Sequence, residues 1–100
     1  MEYSIKEQNG KVTVVMSGVF SFNDIQAFKA VLSALDKPKI TSCEINLSKL
    51  DSIDSSGLGS FLAAHDISVK RGYKISLTEA RGTVLKVLET TKMDNLFSIS

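Results

Sequence analysis

One stretch of this chain, Leu50-Asp51-Ser52-Ile53-Asp54-Ser55-Ser56-Gly57-Leu58-Gly59, packs acid, hydroxyl and glycine residues into a single junction. Asp51 and Asp54 could in principle form a general acid/base pair. Asp and Ser are also preferred helix caps, because their oxygens accept the free N–H groups of a first helical turn. An apolar strand-like run precedes the stretch and an apolar helix-like run follows it. The spacing therefore predicts a cap at Asp54 or Ser55 and a helix over about Ser56 to Lys70, with Leu58, Phe61, Leu62 and Val69 on one face. A serine there presents its hydroxyl at the positive end of a helix, where a phosphate would meet free N–H groups and a favourable dipole. A capped turn without chemistry satisfies the same spacing. Gly57 and Gly59 each weaken a helix by about 1 kcal/mol relative to Ala, so their backbone is expected to be approached closely, by another strand or by a binding partner.

Other catalytic machinery is missing from the pattern. Gly57-Leu58-Gly59 is followed by Leu62 where a dinucleotide fingerprint needs its third glycine, and no glycine-rich turn ends in a Lys-Ser or Lys-Thr pair. Ser56 lacks the glycine two residues earlier that a nucleophile elbow requires. His65 is the only histidine, which argues against a metal site and for a packed or half-exposed helix residue. Cys43 is the only cysteine and sits in an apolar strand pattern, where a buried, inert thiol is expected.

The elements that must position the stretch follow from periodicity. Tyr3 to Glu7 reads as a strand, Asn9-Gly10 as a two-residue hairpin turn, and Val12, Val14 and Met16 as the buried side of a second strand that Gly18 ends. Ser21-Phe22-Asn23-Asp24 resembles a capping box, opening a helix with Ile25, Phe28, Val31, Leu32 and Leu35 inward. Asp36-Lys37-Pro38 stops it. Ile40 to Leu47 is the third strand, parallel to the second through a right-handed crossover. The Asp51 to Ser56 loop and its helix come next, closed by Gly72 as a left-handed C-cap. Tyr73 to Leu77 is a strand, Ala80 to Thr90 a helix, and Leu96, Phe97 and Ile99 a docked tail. The order β-β-α-β-α-β-α implies a single domain over residues 1–100, of α/β or α+β architecture, with helices packed on a mixed sheet of four to five strands. Its functional loops would lie at the carboxyl edge of the sheet. The loop after the second strand would be a neighbour of Ser55, bringing Phe20 and Ser21 near it.

The net charge is +1, so no electrostatic footprint for nucleic acid exists. No apolar run approaches the roughly 18–20 residues of a membrane span, and the first residues lack a secretory layout. A cytoplasmic protein without membrane insertion is expected.

Ile45-Asn46-Leu47-Ser48 followed by Ile53-Asp54-Ser55-Ser56-Gly57-Leu58-Gly59 resembles the signature of STAS domains, the family of anti-sigma factor antagonists. The similarity extends over nearly the whole chain and includes the early Gly18 after a strand and the closing Val84, Val87-Leu88, Met93, Leu96-Phe97 pattern. Val19 and Ser21 stand where many members carry acidic or Asp/Thr residues, and Asn46 stands where Asp is frequent. The resemblance implies a phosphorylation-switched binding module with Ser55 as the modified residue. Its partner surface would comprise Ser21, Asp54, Ser56, Gly57, Leu58 and Gly59. The implied partners are an anti-sigma factor or serine kinase, which carries the ATP so that the domain needs no cofactor, and a serine phosphatase. The same family also implies an alternative, a structural accessory subunit of a transport or scaffold complex with no phospho-switch. Direct nucleotide binding is a third option, with no phosphate cradle beyond the helix end.

Overall fold

In a computed structural model, described for residues 1–100, the hairpin expected at Asn9-Gly10 joins β1 (Glu2–Gln8) to β2 (Lys11–Phe20). Both turn residues adopt left-handed backbone, with φ of 53° and 83°, as a two-residue type I′ turn requires. A 3-10 turn (Phe22–Asp24) leads into α1 (Ile25–Leu35). Then come β3 (Ser42–Ile53), α2 (Ser55–Arg71), β4 (Lys74–Thr78), α3 (Gly82–Thr90), a second 3-10 turn (Met93–Asn95) and β5 (Ser98–Ile99). The strands form one sheet in chain order, β1-β2-β3-β4-β5. β1 is antiparallel to β2 and every later pair is parallel. The expected mixed α/β architecture holds, with a short β5 added after the last helix.

Parallel strands in chain order, joined by crossovers of one hand, carry all their helices on the same face. Burial agrees: Val12, Val14, Met16, Cys43, Ile45, Leu47, Ile75 and Leu77 are buried, whereas the strand residues between them are exposed or half-buried. Against them pack Phe28, Val31 and Leu35 of α1, Phe61 and Ala64 of α2, and Val84 and Leu88 of α3. Phe20, Phe28 and Phe61 form a ring cluster with centroids 5.0, 5.5 and 6.0 Å apart, and Phe97 joins Phe61 at 6.4 Å. Cys43 is buried as expected, and burial pushes its thiol up to about 12, leaving almost no thiolate at neutral pH. Gly72 takes left-handed backbone (φ 82°) and its N–H, with that of Tyr73, donates to the Ser68 carbonyl, closing α2 as predicted. Arg71 then reaches across to α1, its Nε 2.8 Å from Asp36 Oδ1.

Two strands run further than their patterns indicate. β2 continues past Gly18 to Phe20, and β3 continues past Leu47 to Ile53, so half of the expected Asp51 to Ser56 loop is strand and its last two residues are helix. Between the pairs Val15↔Asn46 and Ser17↔Lys49, β3 advances three residues to two on β2. Between Gly18↔Leu50 and Val19↔Ser52 it advances two to one. Each step is a bulge, an extra residue in β3. The bulges move the buried positions from Leu47 to Leu50 and then Ile53, which breaks the period-two signal although the strand goes on. Elsewhere α3 begins at Gly82 instead of Ala80. Leu96 is 43% exposed, while Phe97 is buried in the expected tail.

Candidate docking and modification site

The carboxyl ends of β2 and β3 meet the first turn of α2, and Asp54 is the joint. It is the single residue between β3 and α2. Its N–H donates to the Phe20 carbonyl (3.1 Å) and its carbonyl accepts from the Leu58 N–H (3.0 Å). Its carboxylate accepts from the Gly57 N–H through Oδ1 (2.9 Å) and from the Phe22 N–H through Oδ2 (3.2 Å). Asp54 is therefore the cap, and it also ties α2 to the loop after β2. Ser55 becomes the first helical residue and is exposed. Ser56 is half-buried, and its carbonyl accepts the Ser60 hydroxyl at 3.2 Å. Of the two hydroxyls, Ser55 is the more open to another protein.

The end of β2 does border this turn, through Phe20, whose carbonyl takes the Asp54 N–H, and through Phe22, which was not among the expected residues. Phe20 is fully buried. Ser21 is half-buried and turned inward, its N–H and hydroxyl both donating to the Asp24 carboxylate (2.9 and 3.3 Å). The Ser21 N–H, together with the α-amino group of Met1 at 3.1 Å, holds Asp24 below the usual carboxylate range. Phe22, whose N–H bonds the Asp54 carboxylate, instead projects its ring into solvent at 71% exposure. Sequence reasoning missed Phe22. The available signal was a phenylalanine inside a capping turn, ahead of the apolar stripe of α1.

The expected inward face of α2 needs correction. Its buried residues are Gly57, Phe61, Ala64 and Ser68, whereas Leu62 and Val69 are 40% and 65% exposed and Leu58 is half-buried. A Cβ on Gly57 would lie 2.6 Å from Ile53 Cγ1 and 3.1 Å from Phe20 Cγ. Gly57 is therefore where the helix presses on the sheet, beneath the surface. Leu58 and Gly59 remain outside. Asp51 does not pair with Asp54. It faces Arg81 across 3.7 Å, and its carbonyl accepts the Thr83 hydroxyl, on the side of α3. His65 is half-buried with its ring edge-to-face against Phe97, centroids 5.6 Å apart. No three His, Cys, Asp or Glu side chains are grouped to hold a metal ion.

A one-sided mixed sheet in this strand order, with its three helices on one face, defines a small α/β domain with STAS topology. The family model described as "Mlab, STAS domain" matches residues 3–98, and the chain belongs to the STAS domain family. Among curated proteins none matches. Solved structures share the fold at low identity. The anti-sigma factor antagonist SpoIIAA in its unphosphorylated form aligns with TM-score 0.78 and 17% identity over 99% of this chain and 87% of its own. The phosphorylated form of SpoIIAA, from Bacillus, aligns at 0.77 and 18%, over 99% and 91%. An anti-sigma factor antagonist from Mycobacterium paratuberculosis gives 0.77 and 22%, over 98% and 83%. A sulfate transporter family protein from Wolinella succinogenes gives 0.74 and 18%, over 87% and 71%. No helix is long and apolar enough to cross a membrane.

Proposed function

We propose that this STAS domain is a phosphorylation-switched protein-binding module that docks a partner through the surface around Ser55. The observation that carries the proposal is an exposed serine at the first position of a helix whose cap is already fully engaged. A phosphoryl group there adds about −1.5 to −2 charges. The positive helix end accommodates that charge within the fold, so the effect falls on whatever covers the surface. In an interface the dianion must be desolvated, and a hundredfold loss of affinity needs only ~2.7 kcal/mol. On this reading the partner is an anti-sigma factor or serine kinase that supplies the ATP. A serine phosphatase resets the domain, and the exchange takes place in the cytoplasm. The solution of SpoIIAA in both states supports the proposal by analogy.

The test is incubation with the partner kinase followed by mass spectrometry and binding measurements. Phosphate is expected on Ser55. Ser55→Ala should bind and resist switching, and Ser55→Asp should bind about a hundredfold more weakly. Phosphate confined to Ser56 or another residue would refute the assignment. A second reading, favoured by the Mlab description of the family and the transporter relative, is an accessory subunit of a transport complex. Ser55 would then be a fixed contact, and Ser55→Ala would change nothing while bulky residues at Leu58 or Gly59 break assembly.

A further inference from the structure

The two edges of the sheet are finished differently. β5 closes one edge with two residues, whereas β1 leaves a strand of seven residues along the other. Every residue of β1 except Tyr3 is exposed, and its ladder with β2 runs unbroken from Glu2 to Gln8. In a two-residue hairpin the closing pair, here Gln8 and Lys11, exchanges both of its hydrogen bonds. Alternation then turns the N–H and C=O groups of Glu2, Ser4 and Lys6 toward β2 and those of Tyr3, Ile5 and Glu7 outward. Beyond the ladder with β2, no backbone hydrogen bond involves residues 2–8.

An open edge of this length is a template for a further strand, and natural edges are blunted by proline, bulges or charge. β1 has neither proline nor bulge, so its charges decide what can pair with it. Glu2, Ser4 and Lys6 share the open face of the sheet, opposite Ser17, Val15 and Thr13. Tyr3, Ile5 and Glu7 share the helix face, opposite Met16, Val14 and Val12. Glu2 and Lys6 make no ion pair within the chain. They stand two residues to either side of Ser4, with opposite signs. The strand is therefore complementary to itself when reversed about Ser4.

We propose that β1 pairs antiparallel with β1 of a second copy of this chain, about a two-fold axis at Ser4, joining two five-stranded sheets into one. Glu2 then faces Lys6 of the second copy and Tyr3 faces its Ile5, and symmetry makes each pair twice. Opposite charges and aromatic–β-branched pairs are both favourable across a ladder. The outward N–H and C=O groups of Tyr3 and Ile5 meet in the same register. Centring the axis on Ile5 instead brings the two Lys6 side chains diagonal to each other and sets Tyr3 against Glu7. Centring it on Lys6 sets like charges directly opposite. The Ser55 turn follows β3, two strands in from this edge, so pairing asks nothing of Ser55 and leaves the turn open in both copies.

Sedimentation velocity on the purified full chain tests for the dimer over about 10 μM to 1 mM, the range of a small transient interface. A monomer–dimer equilibrium is expected. Lys6→Glu sets acid against acid twice and should raise the dissociation constant about tenfold. Combining it with Glu2→Lys exchanges the signs and should restore wild-type affinity. In this register the two Ser4 residues form a non-hydrogen-bonded pair with Cα atoms about 4.5 Å apart, within disulfide reach. The two Ile5 residues are diagonal, about 7–8 Å apart. Ser4→Cys should therefore form an interchain disulfide about tenfold faster than Ile5→Cys, and native Cys43, being buried, does not compete. Thermal melts by circular dichroism establish that each variant is folded. A monomer throughout the range, assembly beyond a dimer, no rescue in the charge-exchanged variant, or faster linkage through Ile5→Cys overturns the inference.

Discussion

The two faces of α2 use small residues for opposite ends. Toward the sheet, Gly57, Ala64 and Ser68 are all buried. They let the helix settle against β3 and β4 while Phe61 fills the space between Phe20, Phe28 and Phe97. Toward solvent, Ser55 and Gly59 leave the first turns bare while Leu62 and Val69 expose aliphatic surface. Glycine at 57 answers a demand of the fold, since Ile53 and Phe20 already occupy the position of its Cβ. Glycine at 59 answers none. The contrast teaches that a residue type acquires its meaning from what surrounds it, and that two glycines in one motif need not share a role.

The sharpest way to break this comparison is at neighbouring residues on the two faces. Phe61→Ala should cost about 3–5 kcal/mol, the value for deleting a fully buried aromatic ring, whereas Leu62→Ala should stay within about 0.5 kcal/mol. Urea denaturation of both variants checks this, and similar losses would mean that Leu62 belongs to the core. Gly57→Ala comes next. Its Cβ would sit far inside the contact distance to Ile53, so despite its better helix propensity it should cost about 1–2 kcal/mol through overpacking. Adding Ile53→Val leaves that Cγ1 in place and should relieve little of this, whereas Ile53→Ala removes the colliding atom and should show positive coupling in a double-mutant cycle. The smallest effect joins the far end of α2 to α1. The Arg71 guanidinium beside Asp36 holds its carboxyl below the ordinary value of 3.8. A lowered carboxylate contributes stability that is complete above the ordinary value and lost as pH falls through the lowered one. Thermal melts should therefore show Asp36→Asn below wild type at pH 7, with the gap closing below about pH 4.

Much of the frame was legible in the chain because it rests on local chemistry. Asn-Gly specifies its hairpin turn through left-handed backbone. Asp54 caps α2 because its oxygens sit next to free N–H groups, and Gly72 ends the same helix because it tolerates positive φ. Alternation placed Val12, Val14, Met16, Cys43, Ile45 and Leu47 on the inner face of the sheet. The motif around Asp54 and Ser55 carried the family, since cap, hydroxyl and glycines are contiguous.

The tertiary structure alone decided what depended on distant residues. Bulges in β3 shift its inward positions only because β2 holds it in register, so the extension to Ile53 left no periodic trace. The inner face of α2 was misassigned because apolar side chains signal burial by their size. The residues that α2 buries are mostly small, and at Gly57 the smallness is required by Ile53 and Phe20. Phe22 reached the site through a hydrogen bond to a carboxylate thirty-two residues away, a distance that no local pattern spans.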